Sequence, residues 1–232
     1  MVAKRSQEKE ILDLGPDFYT QEEYTQCLKI LFQINKMLGI FNHTVKLLKP
    51  FPANASLVDV GCGGGLFLLN LSKHYPEMSL LGIDISAEAI KLAQNECRTW
   101  KKTNPDLRVS CQLQQQEELA LSPGSVDIIL LTLVCHHLED AILIAFLKTA
   151  LKAARSALII NDLQRHPLAY WFYKRLSPFL FKNRLITHDG LISIQRSFTR
   201  KELHNLLQQA DIKNYKISWC FPFRWSVIAW KN

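Results

Sequence analysis

The segment VDVGCGGGLFLLN, residues 58 to 70, constrains this chain more than any other. A short branched run ends in a glycine cluster, and the cluster opens an apolar helix. Glycines at such a turn remove Cβ atoms, so backbone can approach a bound ligand closely. A P-loop is excluded, because no Gly-Lys-Ser/Thr follows the glycines. The dinucleotide pattern G-x-G-x-x-G requires a third glycine where this chain has Leu66. An acid, Asp59, also stands just before the loop. A carboxylate there repels a pyrophosphate and suits a ligand that carries an ammonium.

The surrounding pattern is βαβα. Strands are expected at 57–60, 80–83, 108–113, 126–133 and 157–160, with helices at 65–74, 87–100 and 141–154. Ser86 reads as an N-cap of the second of these helices. The fourth strand carries the apolar run 128–131, as expected for burial on both faces. Short connections of this kind predict a parallel sheet covered on both sides. Two helices are expected across 7–49, ended by Pro50 and Pro52, and a capped helix at 199–209 with Glu202 placed for a capping box. Two closing strands are expected near 212–219 and 225–230. The chain thus divides into a helical cap at 1–52 and a main domain at 53–232.

Apolar residues make up 48% of the 232, ample for a core. The N-terminus lacks an apolar signal-peptide stretch, and the most apolar segment, 128–135, is too short to span a bilayer. The six cysteines show no C-x-x-C spacing, which suits reduced, buried thiols in a cytoplasmic protein. Net charge is +7, and Arg165 to Lys201 alone holds eight basic residues against Asp189, so the excess is local.

S-adenosylmethionine (SAM) carries an ammonium and a sulfonium and no phosphate. With Asp59, Gly61, Gly63 and Gly65, the loop fills the motif D/E-x-G-x-G-x-G, and the chain resembles the class I SAM-dependent methyltransferases. The resemblance spans residues 57 to about 160. It implies an α/β, Rossmann-like fold with a seven-stranded, mostly parallel sheet, SAM as cofactor, and an N-terminal helical cap. It places Asp84, which ends LLGID, on the ribose hydroxyls, with Ile85 against the adenine. Gln115 falls at the adenine-facing position, with the backbone of Gln116 beside it, although QLQQQEEL reads equally as a solvated loop. Thr132 is placed near the methionine part of SAM.

The stretch VCHHLED resembles the C-H-x-x-x-D segment of many small-molecule O-methyltransferases, where the histidine is a general base. That match implies His136 as the base; its neighbour His137, placed near the substrate, stays open as the alternative base. A phenol of pKa about 10 needs its proton removed, and an imidazole of about 6.5 can take it at neutral pH. The same H-H-L pattern also occurs where the histidine only packs over the cofactor. No third ligand accompanies the pair in sequence, so no metal is expected.

Residues 163–198 form an aromatic and basic insertion, which resembles, with FQINKMLG, a ubiquinone/menaquinone-type bacterial group of methyltransferases. It is expected as a substrate lid, with Arg165, His166, Tyr170 and His188 toward a hydrophobic acceptor. Its aromatics and cations also suit peripheral contact with a membrane through 165–201, which is compatible with a lid, or simple closure of the core. The function expected is O-methylation of a hydrophobic aromatic or polyketide-like small molecule. C-methylation of a quinol-like ring, an RNA or protein acceptor, and a non-catalytic SAM-binding protein stay open. Nucleic acid is the less expected partner, since the basic excess is confined to one segment.

Overall fold

The computed structural model describes residues 4–115 and 119–231. Its centre is a seven-stranded sheet in the order β3-β2-β1-β4-β5-β7-β6. The strands are β1 (Ser56–Val60), β2 (Ser79–Asp84), β3 (Val109–Leu113), β4 (Val126–Thr132), β5 (Ala154–Leu163), β6 (Tyr215–Cys220) and β7 (Arg224–Trp230). The first five pair in parallel, and β7 runs antiparallel between β5 and β6. The chain starts in the middle at β1, moves outward to β3, then crosses back to β4. That reversal opens a crevice at the carboxyl ends of β1 and β4.

Alternation along the central strands splits the core between two faces. Val58, Ile129 and Leu131 meet α5 (Asp140–Ala153) and α8 (Arg200–Gln209) through Leu147, Leu203 and Leu206. Leu57, Leu80, Ile128 and Leu130 face α3 (Leu66–Ser72) and α4 (Ala87–Lys101). The same side receives Phe41 and Leu48 of α2 (Ile40–Leu48). Ser86 caps α4 by accepting from Ala89 N, and Thr199 with Glu202 forms the capping box of α8, as the sequence predicts. The cysteines are free thiols, buried except for half-buried Cys220.

The N-terminal region departs from two plain helices. Two short 3-10 turns, Ile11–Leu14 and Pro16–Phe18, form a strap before α1 (Gln21–Met37). Gly15 (φ 99°) separates the turns, and a capping box of Thr20 with Glu23 starts α1. The insertion is a helical hairpin of α6 (Pro167–Leu180) and α7 (Arg184–Arg196). α7 is the platform beneath the strap. Asp189 accepts from Ile11 N and Leu12 N at 3.0 and 3.1 Å, and Asn183 Nδ2 donates to Glu23 O of α1 at 2.9 Å. Cys27, Leu185 and Ile186 bury a small separate core there.

Candidate active site

The glycine loop leaves β1 with Gly61, Gly63 and Gly65 all at positive φ (73°, 53° and 72°). Their roles differ. A Cβ on Gly61 would lie 2.5 Å from Val134 Cγ2, so only glycine lets this turn pass under the β4 loop. Gly65 opens α3 instead, where a Cβ would sit 3.0 Å from Ala93 Cβ. It serves helix packing and does not border the crevice. Asp84 locks the loop from across the sheet: Gly63 N donates to its Oδ2 at 2.8 Å and Ser86 N to its Oδ1 at 2.9 Å.

These residues line one end of a cavity of about 920 Å3. Asp59, Gly61, Gly63, Asp84, Ile85 and Thr132 all border it. Asp59 is buried, and its Oδ1 lacks a hydrogen-bond partner within the protein, as does the Oγ1 of Thr132. Asn35, on α1, brings a third orphaned oxygen to the same wall. Burial, and then the charge of Asp84, push the Asp59 carboxyl up to about 8. Three unsatisfied acceptors gathered around a glycine loop form a cradle for a ligand with N–H donors and positive charge. That chemistry fits the amino-acid end of SAM. The other end fits too, because Asp84 borders open space and Ile85 is 65% exposed beside it. Gln115 is exposed and does not border the cavity; Gln114 does, donating its backbone N–H to Asp84 O at 2.8 Å. Gln115 thus lies one residue beyond the cavity wall, because the strand pairing carries β3 only as far as Leu113. Gln116 lies outside the described residues.

The far end of the cavity is made by the strap and α1. Leu12, Pro16, Tyr19, Leu28, Leu31 and Phe32 give it an apolar wall. Here the two histidines part. His136 is 2% exposed and does not border the cavity. Its Nδ1 lies 2.7 Å from Asp162 Oδ1, and its Nε2 lies 3.5 Å from Glu10 Oε1. Burial lowers its pKa, but the two carboxylates outweigh that and push it up to about 10. His136 is thus an imidazolium pinned between acids at neutral pH, which is the opposite of an accessible base. His137 does border the cavity. Its Nδ1 is 2.8 Å from Asp13 Oδ1 of the strap, and its Nε2 is 3.9 Å from Glu10 Oε2. Glu10 also supplies the third donor that the sequence did not show: with His136 and His137 it places ligand atoms within 4.8 Å of one another, close enough to hold a metal ion.

Two arginines fasten this end. Arg196 donates to the carbonyls of His136, His137 and Glu8 and to Asp13 Oδ2. Arg5 donates to the carbonyls of His136 and Leu138 and pairs with Asp140.

The residues expected to face an acceptor from the insertion lie elsewhere. Arg165 is buried against Ser197 O and Glu202, and His166 caps α6 and stacks on Phe223. His188 is exposed and bonds Asp189, and Tyr170 does not border the cavity. Of the 163–198 segment, only Arg196 reaches the cavity wall. The cover over the crevice is the strap and α1, carried on the insertion. A second cavity, of about 500 Å3, opens at the opposite ends of the strands beside Ser56 and Ser79 and holds none of these groups.

A family model described as a methyltransferase domain matches residues 57–157, the span from β1 into β5 that builds the glycine loop, Asp84 and the histidine turn. That stretch is a methyltransferase domain, and the chain around it has the fold of the class I SAM-dependent methyltransferases. Over 119 residues it is 28% identical to the ubiquinone biosynthesis O-methyltransferase of Xanthomonas euvesicatoria pv. vesicatoria (strain 85-10), covering 51% of this chain and 47% of that protein. The matched segment spans under half the length of such curated relatives. A solved SAM-dependent methyltransferase from Aquifex aeolicus shares the fold at TM-score 0.65 and 18% identity, covering 89% of this chain and 97% of that one. Human N-acetylserotonin methyltransferase, solved in complex with SAM, shares it at 0.66 and 16%, covering 92% and 57%. The cofactor of this methyltransferase is SAM. The residues that sequence reasoning missed are Asn35, Glu10 and Asp13. Each precedes the glycine loop, outside the span that carries the family motifs.

Proposed function

We propose that this methyltransferase transfers a methyl group from SAM to a hydroxyl of a hydrophobic aromatic or polyketide-like small molecule, with His137 as the base. One observation carries the reading: the cavity that holds the glycine loop ends, at the strap, in a histidine held by an aspartate. Bound SAM would supply a methyl group activated by its sulfonium. Asp84 would take the ribose hydroxyls, Ile85 and Gln114 would lie at the adenine, and Asp59, Thr132 and Asn35 would receive the amino-acid end. Asp13 accepts the Nδ1 proton of His137, which leaves the Nε2 lone pair free to take the acceptor's proton. The imidazolium so formed is stabilised by Asp13. Leu12, Tyr19, Leu31 and Phe32 exclude water, so a displacement that depends on alignment proceeds in a dry site.

The apolar wall supports a small hydrophobic acceptor over an RNA, which would need a cationic one. A cytoplasmic enzyme in peripheral contact with a membrane suits such a substrate. The test is transfer from methyl-labelled SAM to a panel of phenols and quinols, with the product located by NMR. O-methylation is expected, and His137→Ala should lower the rate by about 100-fold or more while S-adenosylhomocysteine still binds. Undiminished turnover in that variant would discard His137 as base. A product methylated on ring carbon would move the reading to C-methylation of a quinol, in the same pocket and with the same base.

A further inference from the structure

Helix α6 is amphipathic the wrong way round for a helix packed on a protein. Leu168, Trp171, Phe172, Leu176, Phe179 and Leu180 follow the i, i+3, i+4 spacing that normally marks a core-facing stripe. All six are exposed, Phe179 by 88%. The inward face is instead Ala169, Tyr173 and Ser177, with Tyr173 Oη donating to Ile186 O of α7 at 2.6 Å. The tip of the β6–β7 hairpin extends the same surface. Trp219 Nε1 donates to Gln164 Oε1 at 2.8 Å, and Phe223 stacks on His166, the N-cap of α6. This sets Trp219 and Phe221, 51% and 78% exposed, next to the start of the helix. A contiguous apolar surface of this kind on a soluble domain marks a contact site.

Charge identifies the occupant. Residues 163–188 contain no Asp or Glu. Arg165 and Arg184 are paired with Glu202 and Glu23. Lys174, Arg175 and Lys182 stay exposed beside the aromatic stripe, Arg175 lying 5.7 Å from the Trp171 ring centre. A second copy of this face would set cation against cation. A bilayer of anionic phospholipid offers headgroup phosphates to the cations and an acyl boundary to Trp, Phe and Leu. Among the described residues no helix is long and apolar enough to cross a membrane, so the contact lies in the plane of the surface.

We propose that the outer face of α6, with the hairpin tip, is a docking surface for an anionic lipid bilayer. This narrows the broad segment 165–201 to one helix face, and it stands apart from the assignment of the cavity. The test is sedimentation of the full chain with vesicles of phosphatidylcholine alone or with added phosphatidylglycerol. Binding to the anionic vesicles should exceed that to neutral ones by about tenfold and weaken as salt shortens the screening length. The triple variant Trp171→Ser, Phe172→Ser, Phe179→Ser removes only exposed rings. It should keep the wild-type melting temperature and lose the vesicle binding, and Lys174→Glu with Lys182→Glu should lose the preference for anionic lipid. Overturning results are no co-sedimentation, equal binding by the triple variant, or a free dimer that the triple variant converts to monomer, which would give the face to a second copy.

Discussion

At Asp59 a buried carboxylate faces a cavity with one oxygen unsatisfied, and its pKa is raised to about 8 by burial and by Asp84. Before ligand binds, the group is therefore mostly protonated at pH 7. An ammonium placed beside it favours the ionised form and lowers that pKa, so binding must release a proton below pH 8 and none well above it. Calorimetry of S-adenosylhomocysteine in buffers of different ionisation heat should give release of about one proton at pH 7, with affinity rising toward pH 8. Asp59→Asn should abolish the release; wild-type protein that releases none would remove Asp59 from the ammonium site. The places of Asp59 and Asp84 beside the glycine loop were legible in the sequence, because the strand pattern and the glycine spacing fix them locally. The choice between His136 and His137 was not. The two are neighbours on one turn, and what separates them is Glu10 and Asp13, more than a hundred residues away along the chain.

Among the elements, the insertion shows how a segment can be recognised by composition and still be misassigned in role. Its aromatic and basic composition stood out in the sequence, but the face that packs inward is the less apolar one, so a lid with its aromatics on the substrate was the natural expectation. The hinge of that packing is Gly190 on α7. A Cβ there would meet Tyr173 Oη at 2.3 Å and Cζ at 2.4 Å, so the ring itself would have to move. Alanine is the better helix former by about 1 kcal/mol. Overpacking costs about 1–3 kcal/mol and, with a rigid ring hydrogen-bonded to Ile186, it wins. Gly190→Ala should thus lower the melting temperature by several degrees (roughly 2–4 °C per kcal/mol for a chain of this size). An unchanged or raised melting temperature would show that α6 and α7 have slack between them.

The molecule as a whole assembles its site from three parts of the chain. The sheet supplies the glycine loop, Asp84 and Thr132 at one reversal of strand order, and that much follows from the alternating pattern in the sequence. α1 adds Asn35, Tyr24 and the apolar wall, and the strap adds Glu10 and Asp13, held down by Asp189 and Arg196 of the insertion. No periodicity predicts that closure, because each contact joins ends of the chain through single polar groups. The account rests on SAM occupying this crevice with Asp84 at its centre. The direct measurement is titration of S-adenosylhomocysteine into the wild-type chain and into Asp84→Ala. Losing hydrogen bonds to a charged acceptor should weaken binding by about tenfold or more. Equal affinity in the two proteins, or no binding to the wild type, would contradict it.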